Sequence, residues 1–232
     1  GISTIVNVAR FGLKRCVRVR SASDLVISST PVVLLHGADV ATAQSFKTLL
    51  DGEGLSTDLV SMSSAGSTNF SKYSLIVVGY DTHTGADWGT PAIISNIVNS
   101  SRPVIGIETG GAIFFGKQSL NMGTPKIAYA TGNQVVAKDT LSAIFHQPYA
   151  IAGGPQGIIT VSSNASGWYG YSNMATIPGT VTALGNVYSY PSRIMLAFEN
   201  SRYFYWPFRD KPDLYTTDGK HLLVNAAWYS MR

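Results

Sequence analysis

The sequence is poor in several things, and each shortage excludes something. It has a single cysteine, Cys16, so no intrachain disulfide can form. A lone thiol of this kind packs as a small hydrophobe more often than it reacts. Charge is sparse: Asp, Glu, Lys and Arg make up 13% of the 232 residues, against roughly 25% in an average soluble domain. No apolar run reaches the ~18 residues of a membrane-crossing helix, so no transmembrane segment is predicted. The glycine spacings of the two common nucleotide loops are absent, and Gly110-Gly111 does not supply one. No cofactor is therefore expected, and no metal site is assigned. Acidic residues are missing from the first 23 positions, which carry Arg10, Lys14, Arg15, Arg18 and Arg20. The net charge of +4 belongs to that segment, because the rest of the chain holds 12 basic and 13 acidic residues. A nucleic-acid partner needs basic residues spread with aromatics over a face or a known module, and neither is present beyond this stretch.

What is present is a chain that should fold. Hydrophobic residues make up 45% of it, too many for disorder at this low charge. The polar surface must come from Ser, Thr, Asn, Tyr and backbone. Such surfaces are common on exported proteins, so an extracellular or cell-surface location is expected, with the cytoplasm as the alternative. Three sequons, at Asn69, Asn99 and Asn164, permit glycosylation in that setting and show nothing alone.

Residues 1–30 read as a basic β-strand extension and residues 31–232 as the main domain. Two strands are predicted around Phe11-Gly12, able to add to a neighbour's sheet edge, so the expected partner is a second copy or another protein. From Pro31 the pattern changes. Pro31 to His36, Ser74 to Tyr80 and Pro103 to Ile107 are unbroken apolar runs, the signature of strands buried on both faces. Helical segments follow at Ala41 to Leu50, Pro91 to Val98 and Ala112 to Phe115. Strand, helix, strand, helix with short links predicts an α/β domain on a mostly parallel, doubly wound, flavodoxin-like sheet. Beyond Gly116 strands predominate, residues 163–180 read as a long loop, and a helix from Lys220 to Tyr229 closes the chain.

Pro103-Val-Ile-Gly-Ile-Glu-Thr-Gly-Gly-Ala112 resembles the strand–elbow–helix of the class I glutamine amidotransferase-like superfamily. The closing segments, Ile194 to Trp206 with Asp218-Gly219 and Leu222 to Trp228, resemble the last hairpin and helix of those domains. The resemblance spans residues 31–232 and implies a cysteine nucleophile at the elbow with a His-x-Glu pair late in the chain. This sequence has Glu108 at the elbow and no late His-x-Glu. Glutamine hydrolysis through a thioester needs a thiolate, so that reaction is not expected.

Ligands of open parallel sheets bind beyond the C-terminal strand ends. There the sequence places His36, Asp39, Asp81, His83 and Glu108. Three readings follow. His36, His83 and a carboxylate could hold a divalent metal. Glu108 could act as acid or base with His36, His83 and Asp81. Or all are structural, with Asp81 holding a turn, His36 bonding a carbonyl and Glu108 capping the helix. Asp39, Thr109, Gly110, Trp168 and Tyr169 are the candidate ligand contacts, with Tyr171 beside the last two in the aromatic loop. The leading expectation is a non-catalytic amidotransferase-like domain for binding or assembly in an exported or surface protein. The alternatives are a hydrolase using Glu108 with His36 or His83, and a carbohydrate-binding module through residues 163–180.

Overall fold

The computed structural model describes residues 5–7, 16–18 and 30–232. The predicted N-terminal strands are β1 (Ile5–Asn7) and β2 (Cys16–Arg18), which pair antiparallel in a two-stranded sheet of their own. The environment of the Cys16 thiol lies outside the described residues.

The main body is one mixed sheet. Its parallel part contains β3 (Val32–His36), β4 (Thr57–Ser61), β5 (Leu75–Val78), β8 (Val104–Ile107) and β15 (Tyr203–Trp206), in the order β4-β3-β5-β8-β15. The apolar runs read from the sequence are β3, β5 and β8, the three inner strands of this part. Successive side chains point to opposite faces. Val32, Leu34, Leu75, Val77, Ile105, Ile107, Phe204 and Trp206 line one core. Val33, Leu35, Ile76, Val78, Val104, Tyr203 and Tyr205 line the other. A strand buried on both sides needs apolar residues at every position, which explains the missing alternation.

Helices cover both faces. α1 (Val40–Gly52) and α4 (Thr217–Ser230) bury Phe46, Leu50, Leu222, Leu223, Ala226 and Ala227 against the first core. α2 (Pro91–Asn99) and α3 (Glu108–Lys117) bury Ile93, Ile97, Ala112, Phe114 and Phe115 against the second. Local signals fix their starts. The Asp39, Thr90 and Thr216 side chains accept the first free N–H groups of α1, α2 and α4, and Pro91 occupies the first turn of α2. The expected doubly wound α/β architecture is present. A small hairpin, β6 (His83–Thr84) and β7 (Asp87–Trp88), stands apart from the sheet.

Beyond β15 the sheet turns antiparallel through β14 (Tyr190–Glu199), β13 (Val181–Val187), β10 (Gln134–Ala137) and β11 (Ile158–Thr160). Two sequence expectations change here. Within the supposed loop 163–180 lies β12 (Trp168–Asn173), which pairs with β9 (Ile127–Thr131) along five residue pairs and with β14. Gly170 lowers the strand propensity of this segment, yet a Cβ there would lie 2.0 Å from the Tyr205 hydroxyl. The glycine that hides the strand is what lets it close. Glu199 and Arg202 do not pair across their turn. Glu199 accepts from Asn121 and Met122, while Arg202 donates to the Ile97, Val98 and Arg102 carbonyls.

Candidate active site at the strand–helix elbow

α3 leaves β8 through an abrupt turn, and three glycines make that turn possible. A Cβ on Gly106 would lie 2.8 Å from the Gly111 Cα and from the Phe115 ring. On Gly111 it would lie 2.2 Å from the Gly106 carbonyl carbon. On Gly110 it would lie 2.1 Å from the Gly79 carbonyl oxygen. The Gly110 N–H donates to the Tyr80 carbonyl at 2.9 Å, tying the start of α3 to the end of β5. Glu108 sits at the apex with φ +41°, a region that costs a non-glycine residue about 1–3 kcal/mol. Strain of this kind persists only where the surroundings enforce it, here through the glycine contacts.

Glu108 is 2% exposed. Its Oε2 accepts from the Thr109 N–H at 2.5 Å and from the Thr109 hydroxyl. On its other side stand two tyrosines that the sequence did not single out. Burial pushes the Tyr129 phenol up to about 12, with the Glu108 charge adding to it. Tyr205 is fully buried and is raised further, by burial first and then by Tyr129 and Glu108. The Tyr205 hydroxyl has no hydrogen-bond partner. The elbow thus gathers one carboxyl, one threonine and two phenols, with Glu108 and Tyr205 buried and Thr109 and Tyr129 half-buried. The signal that could have found them is their place on strands beside the elbow, which is set only by sheet pairing.

The other predicted residues stand along the same edge without joining this cluster. Asp81 accepts from the Gly37 and Asp39 N–H groups at 2.9 and 2.7 Å, latching the end of β5 to the turn after β3. Asp39 caps α1 through Thr42 and accepts the Tyr80 hydroxyl at 2.5 Å. Those bonds, Tyr80 first, hold its carboxyl below the usual aspartate range. Burial pushes Tyr80 up to about 12, with the bond to Asp39 contributing, and Arg209 lies over its ring at 4.8 Å. His36 Nδ1 is 2.9 Å from the Gly37 carbonyl, and His83 Nδ1 is 3.0 Å from the Gly85 carbonyl. Neither ring bonds to Glu108. The crevice beside His36, Asp39, Tyr80 and Asp81 measures only about 10 Å³, room for no more than about one water. Among the described residues no group of three or more His, Cys, Asp or Glu is placed to hold a metal ion. Trp168 is exposed on β12, whereas Tyr169 and Tyr171 are buried.

The strand next to the elbow is β15, with Trp206 opposite Ile107. It runs on into Pro207 and Phe208, and the Trp206 indole donates to the Tyr215 hydroxyl at 3.0 Å. The remaining histidines are engaged elsewhere, His146 with the Thr140 carbonyl and His221 stacked on Tyr149. None of the four imidazoles is hydrogen-bonded to Glu108.

This architecture, with its strand–elbow–helix joint, is shared by solved structures that include a putative GMP synthase subunit and a glutaminase domain. Solved structures of that fold superpose on most of the chain. A structure of PurLQS from Thermotoga maritima matches with a TM-score of 0.57 at 13% identity, covering 87% of this chain and 99% of that one. A putative GMP synthase subunit from Thermoplasma acidophilum matches at 0.55 and 14% identity, covering 87% and 94%. The glutaminase domain of Trypanosoma brucei CTPS, solved with bound acivicin, matches at 0.51 and 11%, covering 87% and 93%. No protein-family model matches the sequence. No curated protein matches it either.

These neighbours correct the functional expectation. They include a glutaminase domain and a synthase subunit, and nothing links the fold here to an exported structural or binding module. The two alternatives find no support either. His36 and His83 bond to their own loops rather than to Glu108, and the aromatic part of the supposed sugar-binding loop is the paired strand β12, with two of its three aromatics buried.

Proposed function

We propose that this chain is the amidotransferase-fold part of a larger enzyme, and that its elbow does not release ammonia from glutamine through a thioester. The observation that carries this reading is Glu108 at the φ +41° apex, buried and bound by Thr109. A thioester route needs a thiolate attacking the amide and a base to manage its proton. The apex offers a carboxyl, and its neighbours are phenols, which burial makes still harder to ionise. Membership of a larger enzyme is supported by the neighbours, which include a glutaminase domain and a synthase subunit.

The test is glutamate release from glutamine, followed with a coupled dehydrogenase. Wild type and Glu108→Gln should both stay at the blank rate. Glu108→Cys should remain there too, because His36 and His83 are bonded to their own loop carbonyls rather than to the apex side chain. Turnover by the wild type that Glu108→Gln abolishes would overturn the reading.

A further inference from the structure

At the opposite end of the parallel strands from the elbow lies a cleft of about 420 Å³, lined by Ser74, Ser101, Arg102, Pro103, Ser201, Arg202, Ser230, Met231 and Arg232. Its lining holds three arginines and four serines and no carboxylate side chain. Among the described residues, the ion pairs all use lysines, so none of these arginines is neutralised by an acidic partner. Three like charges around one opening repel each other, and an arrangement of this kind attracts an anion.

The guanidinium groups are held in place by neutral acceptors. Arg202 donates through Nε to the Arg102 carbonyl at 2.9 Å and through Nη2 to the Ile97 and Val98 carbonyls at 3.1 and 2.8 Å. Arg102 Nη2 donates to the Ser71 carbonyl at 2.6 Å, and Arg232 Nη2 to the Gln147 side-chain oxygen at 2.7 Å. Each arginine thus spends part of its donor fork on fixing its position. With five N–H donors per guanidinium, further donors remain on each. The turns that carry the cleft are themselves unusual: Ser101 and Ser201 have φ of +56° and +51°.

We propose that this cleft binds a phosphate group, either as free phosphate or as the end of a small phosphorylated molecule. Phosphate matches the fork geometry of arginine and accepts from serine hydroxyls as well. The site lies at the other end of the strands from Glu108, and its occupancy does not depend on what the elbow does.

The experiment is isothermal titration of the full chain at low ionic strength in a phosphate-free buffer, with inorganic phosphate in one arm and glycerol 3-phosphate in the other. Wild type should show saturable one-site binding of at least one probe. Arg102→Gln and Arg232→Gln should each weaken it by about tenfold or more, consistent with loss of a charge-assisted contact. Lys117→Gln, at a lysine paired with Asp87 that does not line the cleft, should leave it unchanged. Thermal melts of each variant verify that it is folded. Equal affinity for the two probes assigns free phosphate as the guest, and tighter binding of the ester assigns a phosphorylated molecule. Absence of saturation in both arms, or affinity unchanged in the folded Arg102→Gln and Arg232→Gln proteins, overturns the proposal.

Discussion

Replacing Glu199 by Gln should destabilise the protein by about 3 kcal/mol, although the two side chains have nearly the same shape. Glu199 lies at the end of β14, 2% exposed. Three donors converge on its carboxylate. The Asn121 N–H lies 3.0 and 2.8 Å from the two oxygens, the Asn121 side-chain amide lies at 2.7 Å, and the Met122 N–H at 3.2 Å. Glutamine keeps one accepting oxygen and turns the other into a donor that faces donors. Hydrogen bonds to a charged group contribute about 1.5–3 kcal/mol each, and a buried N–H left without an acceptor costs about 1–3 kcal/mol. One bond lost and one donor stranded give the ~3 kcal/mol, which for a chain of this size lowers Tm by roughly 6–12 °C. The consequence reaches the elbow, because Asn121 and Met122 lead from α3 into β9, which carries Tyr129. Urea unfolding followed by tryptophan fluorescence should show a lower midpoint with an unchanged slope. A shift below about 0.5 kcal/mol, the range of an ordinary surface substitution, would refute the view that this carboxylate clamps the segment.

Gly111→Ala and Gly52→Ala make a contrasting pair: both glycines lie in helices, where alanine is favoured by about 1 kcal/mol at an interior position such as Gly111 and by less at Gly52, the last residue of α1. Gly111→Ala should instead cost roughly 3 kcal/mol or prevent folding, because the new Cβ would lie 2.2 Å from the Gly106 backbone. Gly52→Ala meets nothing within 4 Å and should be neutral or slightly stabilising by the same denaturation assay; equal effects would refute the elbow contact. Asp39 has a folded pKa below its unfolded value, held there first by the Tyr80 hydroxyl. Its contribution is therefore present above the unfolded pKa near 3.9 and is lost as pH falls through the lower folded value. Asp39→Asn should be less stable than wild type at pH 6, with the gap closing toward pH 2; a gap independent of pH would contradict the assignment.

Much of this was legible from residue order. The unbroken runs at β3, β5 and β8 predicted strands buried on both faces, since only that burial tolerates apolar residues at every position. Pro91 marked the start of α2, and the Gly-Ile-Glu-Thr-Gly-Gly segment marked the elbow, because such a tight strand-to-helix turn needs glycine where backbones touch. That the elbow carries a carboxyl, Glu108, is also read from the sequence alone.

What the order of residues did not determine is what each polar group meets. His36, Asp39, Asp81, His83 and Glu108 all occupy the edge where the sequence put them, yet their hydrogen bonds run to nearby backbone and to Thr42, Tyr80 and Thr109. Tyr129 and Tyr205 come to the elbow from strands separated by 76 positions, brought together by β9–β12 pairing and by β15 lying against β8. The arginine cleft likewise gathers Arg102, Arg202 and Arg232 from the starts of two strands and the end of the last helix. Local propensity and burial are written into short windows of sequence, so the strands, caps and elbow could be read there. Which distant side chains share a site depends on sheet order and register, which exist only once the chain has closed into its tertiary structure.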